Sequence, residues 1–322
     1  MKKKVFLTRR LHKFALEELK KKYQIEVHSG KIPIPKAKLC SKIKDVEGLI
    51  CFPYDKINRE IIDLAKNLKV ISTYSVGFDH IDWIYAKKKK IRIGYTPEVL
   101  TDATADLAFA LLIDLLRRVS EGDRIIRKGK WREIYGAYDY VGVDLQDKTL
   151  GILGLGRIGS TLAKRAKAFG INVIYHNRDK ISKSKEKSLG VKYVSFEKLI
   201  SQSDIISIHV PHTPETEQMF NLRIFKKMKK LSFIINTSRG KVINEKDLVT
   251  ALKKKIIAGA GIDVFESEPI GKNHPLVKLD NVILAPHIGS STKETRAKMA
   301  EITVRNLNLG IKGKKPIYSV GY

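Results

Sequence analysis

The sequence has little cysteine and no long apolar run. Its only two cysteines are Cys40 and Cys51, and their spacing matches no metal-binding or redox motif. No stretch approaches the roughly 20 apolar residues that a membrane-spanning helix needs. The first residues also lack the apolar region and small-residue cleavage site of a secretory signal. These absences predict a cytoplasmic protein with no disulfide, no metal site and no membrane partner.

Acidic residues are far outnumbered by basic ones, and the formal net charge is +28. A charge of this size favours encounters with anions, and nucleic acid is one such partner. The lysines are dispersed over expected helix ends and polar faces, without the interleaved aromatic residues of a groove that binds single strands. We therefore expect no nucleic-acid partner, and a basic surface that speeds encounters with small anions at low salt.

One stretch, residues 149–178, has the spacing of a strand, a helix and a second strand. The apolar residues 150–153 precede Gly154, Gly156 and Gly159 in the pattern G-x-G-x-x-G, and a second apolar strand follows at 173–175. A glycine triplet alone is a weak signal. Within a complete βαβ unit of this length it predicts a dinucleotide-binding turn.

Each glycine of this turn has a separate expected function. Gly154 permits the tight turn, Gly156 lets the backbone approach the phosphates, and Gly159 allows close packing of helix on strand. The helix that follows would offer free N–H groups and the positive end of its dipole to the pyrophosphate.

The residues at the end of the second strand bear on which dinucleotide is bound. An acidic residue about 20 positions past the glycines accepts a hydrogen bond from the ribose 2′-OH in NAD sites. This chain has Asn177 there, followed by Arg178 and Asp179. A neutral residue beside a planar guanidinium suits a 2′-phosphate, so we expect NADP(H) to be preferred. NAD(H) stays open, because Asp179 could take the acidic role.

Short apolar strands alternate with helical segments along most of the chain, which predicts α/β architecture with parallel sheets. We expect two doubly wound, Rossmann-like domains. Residues 1–98 and 288–322 would form a discontinuous, flavodoxin-like substrate domain. Residues 99–287 would form the dinucleotide-binding domain.

Two further segments suggest contacts with a second subunit. Residues 101–118 predict a helix that is apolar on much of its circumference, as expected of a helix buried between domains or subunits. Residues 120–148 are expected to be irregular, with Trp131, Tyr135, Tyr138 and Tyr140 exposed and available for packing. We interpret them as the arm of a homodimer. A loop folded over its own domain is the alternative.

Charged and titratable residues follow three expected strands in the second half of the chain. Arg239 follows the strand at 231–236, Glu266 and Glu268 follow the strand that ends at Asp263, and His287 follows the strand at 282–285. Ligands of open α/β sheets collect beyond these strand ends. A histidine can exchange a proton near neutral pH, a carboxylate can orient it, and an arginine can hold a carboxylate. This combination suits reduction of a carbonyl. Spacing does not choose between Glu266 and Glu268.

The combined motifs identify the chain as similar to the D-isomer-specific 2-hydroxyacid dehydrogenases, and most similar among them to glyoxylate/hydroxypyruvate reductases. The resemblance covers nearly the whole length. The motifs that carry it are YSVGFDHID at 74–82, GYTPEVLTDATADLAFALL at 94–112, GILGLGRIG at 151–159, NTSRG at 236–240, GAGIDVFESEP at 259–269 and APHIGSST at 285–292.

The resemblance implies roles for particular residues near the substrate. Arg239 would bind the substrate, His287 would be the acid/base, and Glu268, which precedes a proline, would be its carboxylate partner. The turn formed by Ser75, Val76 and Gly77, hereafter the 75–77 turn, would offer backbone N–H groups to the substrate carboxylate.

The resemblance also implies a cofactor-binding set. Asp263 would bind the nicotinamide carboxamide, and Thr104 and Thr237 would lie at the cofactor. Arg157 and Ile158, inside the glycine turn, would contact the pyrophosphate. The activity implied is NADPH-preferring reduction of small, anionic 2-oxoacids, glyoxylate or hydroxypyruvate, to glycolate or the D-2-hydroxyacid.

Two other functions stay open at this point. A dehydrogenase of a larger 2-hydroxyacid, of the phosphoglycerate type, would share the site, and so would a dinucleotide-sensing binding protein on the same fold. This chain departs from its relatives at His212, where an apolar residue is common, and we expect that side chain to be exposed. Phe52 and Tyr54 replace smaller residues and leave the substrate size open.

Overall fold

The computed structural model describes residues 2–321, which divide into two compact units. The first comprises Met1–Leu100 with Ser291–Tyr322, and the second is Thr101–Ser290. These divisions lie slightly beyond the expected ones at 98/99 and 287/288. Tyr318 Oη donates to Glu98 Oε2 at 2.9 Å, which keeps Glu98 with the first unit. The backbone N–H of Gly289 donates to Asp263 at 2.9 Å, which keeps Gly289 with the second.

The first unit begins with five strands and four helices. Its strands are β1 (Lys4–Leu7), β2 (Gln24–Val27), β3 (Gly48–Cys51), β4 (Val70–Thr73) and β5 (Arg92–Gly94). Its helices up to that point are α1 (Lys13–Lys22), α2 (Lys36–Lys42), α3 (Arg59–Leu64) and α4 (Trp83–Lys88).

The second unit carries the rest of the elements except the last helix. Its helices are α5 (Thr101–Arg117), α6 (Val119–Arg127), α7 (Arg157–Ala168), α8 (Lys183–Leu189), α9 (Phe196–Gln202), α10 (Leu222–Phe225) and α11 (Glu245–Lys253). Its strands are β6 (Thr149–Leu153), β7 (Asn172–His176), β8 (Val191–Tyr193), β9 (Ile205–Ile208), β10 (Phe233–Asn236), β11 (Gly259–Ile262) and β12 (Val282–Leu284). Helix α12 (Lys293–Ile311) then returns to the first unit.

Both sheets are parallel, and their strand orders confirm the predicted fold class. The first sheet has the order β2-β1-β3-β4-β5, which is the flavodoxin-like order. The second has the order β12-β11-β10-β9-β6-β7-β8. Read from β8 and counted within the unit, this is the dinucleotide-binding order 3-2-1-4-5-6 with one strand added. The direction of strand succession reverses between β6 and β9, which is where such folds bind ligands.

The second sheet is buried on both faces, as expected of parallel strands covered by helices. In β10, Ile234 belongs to an apolar cluster built with α9, α10 and α11, whereas Ile235 belongs to a cluster built with α5 and α7. Consecutive strand residues point to opposite faces, so the two clusters lie on opposite sides of the sheet. All four residues of β9 and of β11 are buried.

The expectation that residues 120–148 are irregular throughout is wrong for their first part. Helix α5 ends at Arg117, Arg118 takes a left-handed conformation with φ 57°, and α6 begins at Val119. Asp114 Oδ1 accepts the Ser120 N–H at 2.6 Å and so holds the first turn of α6. No residue of α6 is buried, and the helix has only nine residues with Gly122 near its middle. A short helix that contains glycine is a weak signal in sequence.

Among the helices of residues 2–321, none combines the length and apolar character that a bilayer span requires.

A histidine beside the glycine turn should make stability depend on pH. His209 follows β9, its Nε2 lies 2.8 Å from Ser207 Oγ, and burial lowers the pKa of its ring to about 4. An unfolded histidine takes up a proton near pH 6.5. The folded state therefore binds fewer protons than the unfolded state between these two pH values, and stability falls as the pH falls through this window.

We expect His209→Gln to reduce this acid sensitivity, because glutamine does not titrate and can still bond Ser207. Unfolding free energies from urea titrations at pH 7 and pH 4.5 should differ less in the variant, by about 1–3 kcal/mol. The same difference in both proteins would show that His209 takes up its proton normally.

Candidate active site

The three residues expected to carry the chemistry follow neighbouring parallel strands. Arg239 follows β10, Glu268 follows β11 and His287 follows β12, and these strands are adjacent in the second sheet. Because parallel strands end at the same edge, their loops meet beyond the carboxyl ends of the strands. An added Cβ on Gly240, next to Arg239, would lie 1.9 Å from the carbonyl carbon of Phe265, so the first two loops are in close contact.

Glu268 and His287 form a direct pair. His287 Nδ1 lies 2.7 Å from Glu268 Oε2, and the two side chains are 29% and 15% exposed. The other oxygen of Glu268 accepts the Phe265 N–H at 2.9 Å, which fixes the carboxylate plane. An ionised carboxylate only accepts hydrogen bonds, so Nδ1 carries a proton. Nε2 is then the nitrogen at which His287 can exchange a proton.

The loop that carries His287 is held in an uncommon conformation. His287 has φ 54°, in the left-handed region that few residues other than glycine adopt. Its N–H donates to the Asp263 carbonyl oxygen at 2.9 Å. The N–H groups of Ile288 and Gly289 donate to the two carboxylate oxygens of Asp263 at 2.7 and 2.9 Å. Three consecutive backbone N–H groups therefore bond to Asp263.

Asp263 thus stabilises the loop that carries His287. Burial raises the pKa of its carboxyl group, and the N–H groups of Ile288 and Gly289 oppose this increase. Thr104, expected near the cofactor, donates its hydroxyl to the Gly289 carbonyl oxygen at 3.1 Å and supports the same loop. The sequence does not reveal this role of Asp263, because the partners are backbone groups 25 and 26 positions away.

The Arg239 loop is ordered by the last residue of β10. Asn236 Nδ2 donates to the Arg239 carbonyl oxygen at 2.9 Å, and Asn236 Oδ1 accepts the Ser238 N–H at 3.0 Å. Arg239 Nη1 donates to the Ser238 carbonyl oxygen at 2.8 Å, and the side chain is half-buried. Asn236 was not among the expected site residues, although an asparagine that ends a buried strand is a recognisable loop-ordering signal.

The structure distinguishes Glu266 from Glu268, which spacing alone could not do. Glu266 Oε1 accepts the Glu245 N–H at 3.0 Å, and Glu245 Oε1 accepts the Glu266 N–H at 2.7 Å. Glu245 Oε2 also lies 3.2 Å from His274 Nε2, and burial raises the pKa of Glu245. Glu266 therefore ties the β11 loop to the start of α11, whereas Glu268 meets His287.

The protein structure itself requires two of the three glycines in the turn. Gly154 has φ 96°, and an added Cβ there would lie 2.8 Å from the His209 backbone. A Cβ on Gly159 would lie 2.5 Å from the Gly154 carbonyl oxygen. Gly156 differs from both, because an added Cβ would meet nothing within 4 Å and its φ is −81°. Neither backbone conformation nor protein packing requires glycine at this position.

The start of α7 beside Gly156 is suited to an anion. Gly156 is the N-cap of this helix, and no side chain caps it. Seven other helices are capped by a side-chain oxygen, namely α3, α4, α8, α9, α10, α11 and α12. Arg157 and Ile158 are the first residues of α7, where N–H groups lack partners within the helix. Open space over Gly156 and an uncapped helix end fit a dinucleotide pyrophosphate.

Two hydroxyl groups of this unit add to that fit. Thr237 Oγ1, after β10, and Ser160 Oγ, in the first turn of α7, are buried without a hydrogen-bond partner among residues 2–321. Buried hydroxyl groups are normally bonded. A bound polar ligand would supply the missing partners.

The end of β7 presents one neutral and one charged side chain. Asn177 Oδ1 accepts the Leu155 N–H at 2.6 Å, which ties β7 to the glycine turn. The Arg178 side chain is 95% exposed, and its Nε lies 3.3 Å from Asp179 Oδ2. The pKa of Glu215 is lowered mainly by a hydrogen bond with Thr213 and by the local backbone. The charge of Arg178 lowers it further by a smaller amount. Two carboxylates therefore partly offset the charge of Arg178.

The 75–77 turn belongs to the first unit and follows β4. Ser75 is buried, and its hydroxyl donates to the Gly77 carbonyl oxygen at 2.7 Å. Within residues 2–321, the N–H groups of Val76 and Gly77 donate to no protein acceptor. Such a turn can bind an anion through its backbone.

The expectation that His212 is exposed is wrong. His212 is not exposed, because its side chain is 22% accessible and its Nε2 is buried. Among the described residues 2–321, no cluster of three or more His, Cys, Asp and Glu side chains could hold a metal ion.

Comparison with known proteins gives similarity along the whole chain. The sequence model of the NAD binding domain of D-isomer specific 2-hydroxyacid dehydrogenases matches residues 109–289. Glyoxylate reductase of Thermococcus litoralis is 46% identical over 319 residues, which cover 98% of this chain and 96% of that protein.

Solved structures of other proteins show the same similarity along the chain. A protein from Thermus thermophilus superimposes with a TM-score of 0.92 at 42% identity, covering 98% of this chain and 99% of that one. The NADPH-dependent glyoxylate/hydroxypyruvate reductase of Sinorhizobium meliloti, in complex with NADP and malonate, has a TM-score of 0.87 at 29% identity. That match covers 100% of this chain and 97% of the other. The similarity therefore includes both units.

The open space at Gly156 leads to a prediction about binding. We expect Gly156→Ala to fold normally but to weaken dinucleotide affinity about tenfold or more, because its methyl group occupies space left for the ligand. Isothermal titration calorimetry with NADPH and NADH measures this. Gly271→Ala is the matched control, because Gly271 also has nothing within 4 Å and no positive φ. Equal affinity of both variants and the parent protein would refute the ligand-binding interpretation of Gly156.

Proposed function

Because the chain belongs to the D-isomer specific 2-hydroxyacid dehydrogenase family, we propose that this NAD(P)-dependent oxidoreductase reduces glyoxylate and hydroxypyruvate. The products would be glycolate and the D-2-hydroxyacid. The observation that carries this proposal is the 2.7 Å contact between His287 Nδ1 and Glu268 Oε2 beside the Arg239 loop. A proton donor and a carboxylate-binding cation then stand at one edge of a dinucleotide-binding sheet.

His287 is the proposed acid/base. With Nδ1 directed to Glu268, the protonated imidazole presents its Nε2–H to the carbonyl oxygen of a 2-oxoacid and delivers a proton as the alcohol forms. The carboxylate of Glu268 keeps the ring in one orientation and stabilises its charged form. The hydrogen bonds from the backbone of residues 287–289 to Asp263 fix the loop from which the ring projects.

Arg239 and the 75–77 turn are the proposed anion-binding groups. A guanidinium can hold a carboxylate through two parallel hydrogen bonds and polarise the neighbouring carbonyl. The N–H groups of Val76 and Gly77 add uncharged donors of the kind that hold carboxylates in other backbone turns. Arg239 belongs to the second unit, and the 75–77 turn belongs to the first. We propose that Thr101–Ser290 binds the dinucleotide and that the other unit supplies substrate contacts.

The residues proposed to hold the dinucleotide lie around the glycine turn. Gly154, Gly156, Arg157, Ile158 and Gly159 would receive the pyrophosphate. Thr104, Thr237 and Asp263 would lie toward the nicotinamide. When bound in reduced form, the cofactor supplies the hydride that the side chains of the protein cannot.

We further propose that NADP(H) is preferred to NAD(H). Asn177 presents no carboxylate to the ribose, since it is neutral and its Oδ1 already accepts the Leu155 N–H. The exposed Arg178 can pair with a 2′-phosphate. Asp179 would compete for that guanidinium as an ion pair that is already present, so the preference is one of degree, with NAD(H) as the weaker ligand.

A homodimer is proposed from the exposed apolar surface that follows α5. Val119 and Ile126 of α6 are 60% and 59% exposed, and Ile134 and Tyr138 of the following segment are 91% and 94% exposed. Val119 and Ile126 are seven residues apart and so lie on one face of α6. Contiguous exposed apolar surface normally marks a contact with another protein. A cytoplasmic location and the absence of a nucleic-acid partner remain predictions from the sequence.

The role of His287 can be tested with its alanine variant. We expect His287→Ala to lower kcat for glyoxylate by about 10²–10⁴-fold, because the proton donor is lost. Its dinucleotide affinity, measured by calorimetry, should stay within about twofold of the parent protein. His28→Ala is the control, because His28 lies in a surface loop, where its Nε2 lies 3.0 Å from the Lys31 carbonyl oxygen. Unchanged turnover in His287→Ala would exclude the acid/base role.

A further inference from the structure

A continuous line of polar side chains leads from His80 to the 75–77 turn. His80 Nε2 lies 3.0 Å from Thr73 Oγ1, and Thr73 Oγ1 lies 2.6 Å from Ser75 Oγ. Ser75 Oγ in turn donates to the Gly77 carbonyl oxygen at 2.7 Å. Thr73 and Ser75 are buried, with 0% and 5% of their surface exposed. All four residues lie in the first unit.

The direction of every hydrogen bond in this line is determined by its last member. A carbonyl oxygen can only accept, so the contact with Gly77 requires the single hydroxyl proton of Ser75. Ser75 Oγ must then accept from Thr73, which uses the single hydroxyl proton of Thr73. Thr73 Oγ1 has no proton left for His80, so it must accept from the imidazole. The line is complete only if His80 carries a proton on Nε2.

The opposite tautomer would leave one contact unmade. With no proton on Nε2, Thr73 could donate either to His80 or to Ser75, but not to both. A buried hydroxyl that lacks its hydrogen-bond partner is destabilising. Cys51 Sγ also lies 3.9 Å from His80 Nε2, but burial raises the pKa of this thiol, so it stays uncharged and is at most a weak additional partner.

We propose that His80, protonated on Nε2, is a positioning residue that orders the 75–77 turn through Thr73 and thereby sets the affinity for the substrate carboxylate. This inference rests on the proposed function of that turn. The bond from Ser75 Oγ to the Gly77 carbonyl oxygen closes a ring around the turn. The 75–76 and 76–77 peptide planes lie within this ring and carry the N–H groups of Val76 and Gly77, so the bond restricts their rotation. A turn that can rotate these planes must be ordered again each time an anion binds, which weakens binding.

Substitutions at Thr73 separate positioning from general stability. Thr73→Val removes the hydroxyl with little change in shape, whereas Thr73→Ser keeps it. We expect Thr73→Val to raise KM for glyoxylate about tenfold, roughly the effect of one hydrogen bond, with kcat and dinucleotide affinity within about twofold. Thr73→Ser should restore KM to within about twofold of the parent protein.

Ser72→Ala is the matched control for the loss of a buried hydroxyl. Ser72 precedes Thr73 in β4, points to the other face of the sheet, and donates to the Thr303 carbonyl oxygen at 2.9 Å. This variant should lose stability without a change in KM. Equal KM values in Thr73→Val and the parent protein, or an equal rise in Ser72→Ala, would overturn the proposal.

The tautomer of His80 can be observed without any activity. Long-range ¹H–¹⁵N correlation spectra of protein labelled at histidine distinguish the two neutral tautomers, and His80→Gln identifies the signal. We expect the Nε2–H form at pH 8 in the parent protein. An Nδ1–H form would overturn the proposal. If the parent protein reduced no 2-oxoacid, the proposed function would fail, whereas the spectrum would still decide the protonation of His80.

Discussion

The hydrogen bond between Glu268 and His287 depends on the parallel alignment of β11 and β12. Parallel strands bring loops that are far apart in sequence to one edge of the sheet, and the loops after β10, β11 and β12 each carry one of the proposed catalytic residues there. Asp263 continues from β11 and bonds three consecutive N–H groups of the β12 loop. The backbone thus holds the imidazole before any ligand binds, which is how a site is prepared for reaction.

The three glycines that follow β6 in this sheet are present for different reasons. The fold requires glycine at Gly154 and Gly159, since Gly154 has a positive φ and an added Cβ at either position would meet backbone atoms. Gly156 satisfies neither requirement, and α7 behind it has no side-chain cap. Glycine at a position where neither the backbone nor the packing requires it is best explained by space reserved for a ligand. This separates a binding turn from a turn that is merely tight.

The sequence predicted the fold class because its signals are local: short apolar strands, helical periodicity and a glycine triplet within one βαβ unit. It did not predict α6, because that helix is short, contains Gly122 and follows a left-handed Arg118. Spacing left Glu266 and Glu268 unresolved and only the family resemblance chose Glu268, because their difference lies in long-range partners, Glu245 for one and His287 for the other. The sequence assigned no role to His80, because the hydrogen-bond line through Thr73 exists only once β4 and its turn are folded.

The measurement that tests the proposed reaction most directly is the initial rate of NADPH and NADH oxidation by the purified protein at fixed salt. Glyoxylate, hydroxypyruvate and 3-phosphohydroxypyruvate would be compared as substrates. We expect rapid oxidation with the first two oxoacids and a specificity constant at least about tenfold higher with NADPH, since Arg178 adds a charged contact. Dinucleotide binding without turnover of any of these oxoacids would contradict the proposed reaction and favour a sensing protein, and preference for the phosphorylated substrate would indicate a dehydrogenase of larger acids.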